Sequence, residues 1–276
     1  MIINKKESAY QKLVEGIEKI IVEGKYKDFL KFMKKFHKYS FSNRLLIYSQ
    51  NPDATHVAGY CTWKELGRGV KSNPKRIRIL KPIPFKINKK EDTEEVENIE
   101  LLRYGWTIVY DISDTYKIPG AKEVPLFDDI TLDSCDSQEL YNILTQISPV
   151  NVKIESTWDG SEGYYSKSEN KIVLSPRLSI DDRTATLLHE ISHALYDDFD
   201  YSKERDLSEI FVESISYIVA DYFGLNTSKS SFSYITKWSK GDMKNLLKLG
   251  KKIQDASEDM ISQIRAKMEQ QTQKVA

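Results

Sequence analysis

His189-Glu190-Ile191-Ser192-His193 reads H-E-x-x-H inside an apolar run, and this pattern narrows what the chain can build more than any other. In a helix, residues four apart share a face, so His189 and His193 can present two imidazoles to one metal ion with Glu190 beside them. A metal ion held this way lowers the pKa of a bound water towards neutrality, and Glu190 can take its proton as the water attacks a carbonyl. The spacing therefore predicts a metal-dependent hydrolytic site on a helix. The chain has only 4 histidines, and two of them stand here between Leu187-Leu188 and Ala194-Leu195, which is not surface composition. The helix is expected to start near Ser179 or Asp181, with Asp181 and Asp182 at its positive end, and to stop around Asp197.

Two histidines leave a third protein ligand to find. The metzincin pattern is excluded, because Phe199 stands where its third histidine would fall and Tyr196 stands in place of its glycine. Asp197 can face the metal only if the helix continues past it. The apolar run from Leu207 to Phe223 carries Glu209 and Glu213, four apart on one helical face. This resembles the glu-zincin arrangement, in which a ligand glutamate is followed four residues later by a group that orients a ligand histidine. The paired pattern favours Glu209 as ligand and Glu213 as the partner of an imidazole N–H, whereas the interval of 20 residues from His193 favours Glu213 as ligand. Both assignments stand, with one Zn2+ per chain as the expected cofactor. Tyr217, Tyr164 and Tyr165 are candidates for stabilising an oxyanion, since no third useful histidine remains.

Composition adds an asymmetry. The net charge is zero, yet residues 1–90 hold 21 Lys and Arg against 7 Asp and Glu, and the remaining residues hold 20 against 34. A basic module that meets a polyanion, joined to an acidic one, accounts for this better than two halves docking through their charge. No apolar run is long enough to span a membrane, and the start of the chain has no signal-peptide core, so a cytoplasmic protein is expected. Cys61 and Cys135 have no metal or redox spacing and fit a reducing compartment.

In chain order, Glu7 to Gly24 reads as an amphipathic helix. Tyr26 to His37 reads as a second, with a lysine face that is either solvated or turned to phosphate. A short helix capped by Ser42 and another opened by Thr62 follow. Gly67 to Lys71 reads as a flexible basic loop, then comes a strand from Arg76 to Leu80, stopped by Pro82 and Pro84. Arg and Lys interleave here with aromatic residues, the composition that single-stranded nucleic acid needs for stacking and phosphate pairing. Arg44, Tyr60, Trp63, Arg68, Lys71, Lys75 and Arg76 are the expected contacts. Residues 91–100 read as an exposed acidic tip, 104–112 as a strand, and 115–136 as an irregular connector. Ser137 is expected to cap a helix to Ile147. Strands at 151–157 and 171–174 precede the H-E-x-x-H helix, and a long helix from Met243 to Met268 closes the chain.

Asn43-Arg44-Leu45-Leu46-Ile47, Gln50 to Thr55, Val57-Ala58-Gly59-Tyr60, Trp63 and Gly67 to Lys71 resemble the ArdC-like anti-restriction proteins of conjugative plasmids and integrated mobile elements. Gly163-Tyr164-Tyr165, the H-E-x-x-H helix and Ser231 to Ile235 before Trp238 extend the resemblance, which covers residues 10–240. Lys71 to Lys75 depart from it, where the family tends to have a glycine-containing turn. The resemblance implies a single-stranded-DNA-binding domain followed by a zincin-like metallopeptidase domain, acting on the side of invading DNA. The expectation is thus an α+β protein: a basic α+β domain over residues 1–125 and a zincin-like, glu-zincin-type domain over 126–276. Its partners would be single-stranded DNA and a protein or peptide substrate, with no membrane. The metal domain would serve an anti-restriction accessory role or, alternatively, be an active regulatory peptidase.

Overall fold

Alternation of Ile77, Ile79 and Val109, all at most 5% exposed, with outward Arg78 and Ile108 sets the inner and outer faces of a long antiparallel hairpin. The computed structural model describes residues 15, 16, 20, 24–36, 38–88, 98–121, 135–157, 160–226 and 243–275. They fall into two units: Met1–Glu23 with Lys38–Phe127, and Gly24–His37 with Asp128–Ala276. The helix expected over 7–24, the acidic tip and the aromatic segment at 230–238 lie wholly or largely outside the described residues.

In the first unit the hairpin strands β3 (Ile77–Asn88) and β4 (Asn98–Asp111) join β1 (Val57–Ala58) in the order β1-β4-β3. Helix α2 (Phe41–Gln50) packs on β3, with Leu45, Leu46 and Ile47 buried. The outer edge of β3 is closed by side chains. Asn43 donates Nδ2 to the Leu80 carbonyl at 2.9 Å and accepts the Leu80 N–H at 2.8 Å. One repeat along the helix, Gln50 does the same for Arg78, at 2.9 Å in each direction. Pro82 and Pro84 continue that edge. They are not breakers: β3 runs through both, because their alternation with Arg78 and Leu80 puts the missing N–H on the side facing away from β4. Amides and prolines together blunt an edge that would otherwise recruit another strand.

Gly67 to Lys71 is likewise not a loop. Strand β2 (Arg68–Val70) pairs antiparallel with β5 (Thr115–Lys117), at the start of the expected connector. Gly67 takes φ +72° just after α3 (Tyr60–Glu65), whose N-cap is Gly59 rather than Thr62. The cap of α2 is Ser40 rather than Ser42. Buried Asp111 accepts the N–H groups of Thr55, His56 and Ser113 at 2.8, 3.2 and 3.0 Å, tying the Asn51-Pro52 turn to the end of β4.

The second unit is built on a three-stranded sheet, β6 (Asn151–Ile154), β8 (Lys171–Leu174) and β7 (Gly163–Ser166), with β8 central, β6 parallel to it and β7 antiparallel. Ile172, Val173 and Leu174 are at most 1% exposed. Around the sheet stand α4 (Ser137–Ile147, capped by Asp136), α5 (Ile180–Tyr196), α6 (Tyr201–Tyr222) and α7 (Met243–Val275). Helix α1 (Tyr26–Met33) belongs to this unit and not to a domain of residues 1–125. Tyr26 Oη meets Ser214 Oγ at 2.8 Å, and Lys27 Nζ stands 5.4 Å from the centroid of Tyr217. Lys34 pairs with Asp221 at 2.5 Å. Lys27 and Lys34 of the lysine run are therefore spent on α6 and do not face phosphate.

Asn43→Ala should leave the Leu80 amide and carbonyl without partners. It is expected to lower stability by about 1–3 kcal/mol, read from urea unfolding; an unchanged midpoint would show that water satisfies this edge equally well.

Candidate metal centre

The H-E-x-x-H segment occupies the C-terminal half of α5. Ser179 caps the helix by accepting the Asp182 N–H at 3.2 Å, and Asp181 and Asp182 lie in its first turn. Leu187, Leu188 and Ile191 are fully buried on one side, which turns His189 and His193 to the other. There they meet α6, and the crossing is close because serines line it: Ser192 and Ser216 hydroxyls stand 3.4 Å apart. α6 brings Glu209 and Glu213 to the imidazoles.

The geometry sorts the ring nitrogens. His193 Nδ1 is 2.8 Å from Asp197 Oδ2, and His189 Nδ1 is 3.4 Å from Glu213 Oε2. Both Nε2 atoms then face Glu209 Oε2, at 3.6 Å from His189 and 3.9 Å from His193. Among the described residues, His189, His193 and Glu209 are the group whose donor atoms all lie within 4.8 Å of one another. Donors tetrahedrally arranged around zinc sit about 3.4 Å apart, at bonds of about 2 Å. The two imidazole–carboxylate distances come within a few tenths of an ångström of this spacing, and the donor set has the chemistry to hold a divalent ion.

The two glutamates are thus brought to opposite sides of His189, with Glu209 at the converging nitrogens and Glu213 behind the ring. Asp197 does not face the metal position. The helix stops at Tyr196, and the Asp197 carboxylate, besides His193, accepts Ser208 Oγ at 2.5 Å and the Phe199 N–H at 3.1 Å. The i, i+4 spacing from His193 was the available signal for this role. The turn carrying Asp197 is pinned to α7: Lys252 pairs with Asp198 at 2.8 Å and lies over the Phe199 ring, and Tyr196 donates to Asp259 at 2.8 Å.

Two groups escaped the sequence reading. Tyr201, 48% exposed at the start of α6, donates Oη to Glu209 Oε1 at 2.7 Å, leaving Oε2 for the imidazole side. The backbone N–H of Tyr165 on β7 binds the Glu190 carboxylate. β7 comes this near α5 because Gly163 has no side chain; a Cβ there would stand 2.8 Å from Thr186 Cγ2 and from the Val173 carbonyl. Tyr217 is not a site residue. It is 1% exposed in the α6 core, on the side packed by Lys27, and cannot reach a substrate oxyanion. Tyr164 and Tyr165 are half-buried on the β7 edge.

Electrostatics follow from this packing. Burial drives the Glu190 pKa up, and the nearby His189 and His193 with the Tyr165 N–H pull only partly against it. A carboxylate raised in this way is a better base. Burial works against a charged His189, but Glu209 and Glu213 outweigh it and raise its pKa to about 10. Seen from the partner, His189 holds Glu209 at about 2 against its burial, with help from Tyr201.

The residues expected to touch nucleic acid divide differently. Arg44 is 2% exposed and donates Nε to the Tyr39 carbonyl at 2.8 Å, and Trp63 is 1% exposed with Nε1 on the Tyr110 carbonyl at 2.9 Å. Both are framework, because α2 and α3 turn these side chains inwards. Arg68 is half-buried, with Nε on Thr115 Oγ1 at 2.7 Å. Lys71 and Lys75 are exposed and reach the Ser113 carbonyl and Asn51 Oδ1, at 2.6 and 3.3 Å. Tyr60 and Arg76 face solvent.

In chelator-treated protein, His189 has a folded pKa above its ordinary 6.5, so its contribution to stability is complete below about pH 6.5 and is lost as pH rises through about 10. The Glu209 contribution is complete above about pH 4.5 and is lost as pH falls through about 2. An NMR titration of the imidazoles should find His189 still charged at pH 8 in wild type and neutral there in the Glu209→Gln, Glu213→Gln double variant. Titration near 6.5 in wild type would contradict the paired geometry.

Residues 2–107 match the family model for the N-terminal domain of anti-restriction factor ArdC. Two crystal structures of the antirestriction ArdC protein from plasmid R388 share the fold. The metal-free form is 19% identical, with a TM-score of 0.56, covering 83% of this chain and 86% of that one. The Mn(II)-bound form is 16% identical, with a TM-score of 0.62, covering 92% and 97%. An uncharacterized protein of Bacillus anthracis is 28% identical over an alignment of 249 residues that covers 76% of this chain but only 42% of that relative's length. Residues 2–107 are thus similar to the N-terminal domain of ArdC anti-restriction factors, and the fold of the chain resembles that of the R388 ArdC protein.

Proposed function

We propose that this chain is a single-stranded-DNA-binding, anti-restriction-type protein of a mobile element, working in the cytoplasm, whose C-terminal unit is a zincin-like peptidase of the glu-zincin type. The observation that carries the peptidase half is the convergence of His189 Nε2, His193 Nε2 and Glu209 Oε2 beside a buried Glu190. These three residues would hold Zn2+, or another divalent ion such as the Mn(II) in the R388 ArdC structure. When bound, such an ion polarises a carbonyl and acidifies water. Asp197 and Glu213 hold the imidazoles by Nδ1, and Tyr201 holds the far oxygen of Glu209. Glu190 accepts the proton of the attacking water.

An extended peptide can add to the outer edge of β7 and so pass alongside Glu190. Beside it lies a cleft of ≈ 420 Å³ lined in part by Glu162, Asp181, Asp182 and Ser216. Its acidic rim favours a substrate with a basic side chain. A purely structural zinc closes with a fourth protein ligand and needs no base. The three converging donors among the described residues, with Glu190 beside them, favour catalysis over scaffolding.

The first test is peptide-library cleavage by zinc-reconstituted protein. Wild type should cut, and Glu190→Gln should keep its metal while losing about 10²-fold or more in rate. Metal-loaded wild type that cuts nothing, or a Glu190→Gln variant of unchanged rate, would contradict the reading. Independently, affinity for oligo(dT) should fall steeply and log-linearly with salt as counterions are released; salt-insensitive binding would remove phosphate contacts from the account.

A further inference from the structure

Among its described residues, the first unit exposes three large aromatic side chains, Tyr60, Tyr104 and Tyr116. Tyr116 stands apart because its position is imposed by the strand it pairs with. In the β2–β5 ladder it sits directly opposite Gly69. A Cβ built on Gly69 would stand 2.5, 2.7 and 2.9 Å from Tyr116 Cζ, Oη and Cε1. The ring therefore lies across the glycine backbone in the space a side chain would take, and it is still 51% exposed. One face is seated and the other is open to solvent.

One cation shares the face of this ring on the same pair of strands. Lys71, one residue past β2, falls on the Gly69 side by strand alternation, whereas Arg68 and Lys117 pair with each other on the opposite face of the ladder. Arg68 is fixed by Thr115 Oγ1, and Lys71 and Lys117 are exposed. A flat, preseated aromatic ring with an exposed lysine on its side matches the needs of a single strand, whose bases offer π faces and whose phosphates offer charge.

We propose that Tyr116, seated on Gly69, is a base-stacking platform for single-stranded DNA, with Lys71 meeting an adjoining phosphate. This rests on the DNA-binding reading above and names the contact that reading lacked once Trp63 proved buried. A tyrosine over a cross-strand glycine also covers the backbone, so the test must separate stacking from cover.

The experiment is fluorescence anisotropy of the full chain with labelled oligo(dT) and with an abasic oligomer of equal length and charge. Tyr116→Leu keeps an apolar cover without a π face and should weaken oligo(dT) binding about tenfold, while Tyr116→Phe stays within about twofold. Gly69→Ala, whose methyl must displace the ring, should resemble Tyr116→Leu. Affinity for the abasic oligomer should be unchanged in Tyr116→Leu, and melting temperatures should confirm that the variants are folded. Unchanged oligo(dT) affinity in Tyr116→Leu, or an equal loss on the abasic oligomer, would overturn the platform. Wild type that binds no oligomer even at low salt would remove the DNA-binding reading and the platform with it.

Discussion

Each imidazole of the α5 pair is held by a carboxylate on its Nδ1 side, His193 by Asp197 and His189 by Glu213, and the C-terminal unit depends on that constraint. Free imidazoles on neighbouring turns could rotate and present either nitrogen. Held from behind, both present Nε2 to the same carboxylate, and a set of part-buried polar groups becomes a directed one. Four carboxylates gather around two histidines, and without a cation between them this arrangement forces the proton onto His189.

Much of the surrounding packing exists to make those contacts short. Serines at the α5–α6 crossing let the helices approach, Gly163 lets β7 lie against α5, and the Lys252–Asp198 pair fixes the turn that aims Asp197. Helix α1 contributes from far away in sequence, through Tyr26 on Ser214 and Lys34 on Asp221, so α6 is clamped from a second side. The first unit follows a different logic. Its hairpin is shielded along one edge by amide side chains and prolines, while the β2–β5 pair keeps an aromatic ring exposed on a glycine.

What the sequence made legible was short-range and periodic. Four-residue spacing placed His189 with His193 and Glu209 with Glu213 on helical faces, and the alternating run up to Ile112 announced β4. What it hid was decided by partners distant in the chain. Arg44 and Trp63 look like a nucleic-acid surface in composition, yet their hydrogen bonds to Tyr39 and Tyr110 bury them. Pro82 and Pro84 signal a break in isolation, but on the outer edge of β3 they cost nothing. Tyr217 has the same helical spacing to Glu213 as Glu213 has to Glu209, and only the docking of α1 shows that this stripe runs into the core. Asp197 was visible by spacing, but its role depended on where α5 stopped.

The central claim is that α5 and α6 together hold one divalent ion through His189, His193 and Glu209. The most direct measurement is metal content by elemental mass spectrometry after zinc reconstitution, for wild type, His193→Ala, Glu209→Ala and Glu213→Ala. The account predicts about one zinc per chain in wild type, near-complete loss in His193→Ala and Glu209→Ala, and weakened but detectable retention in Glu213→Ala, since removing the carboxylate behind a ligand imidazole costs about 10–100-fold in affinity. Full retention in Glu209→Ala with loss in Glu213→Ala would exchange the two glutamates, and no metal in wild type would contradict the account.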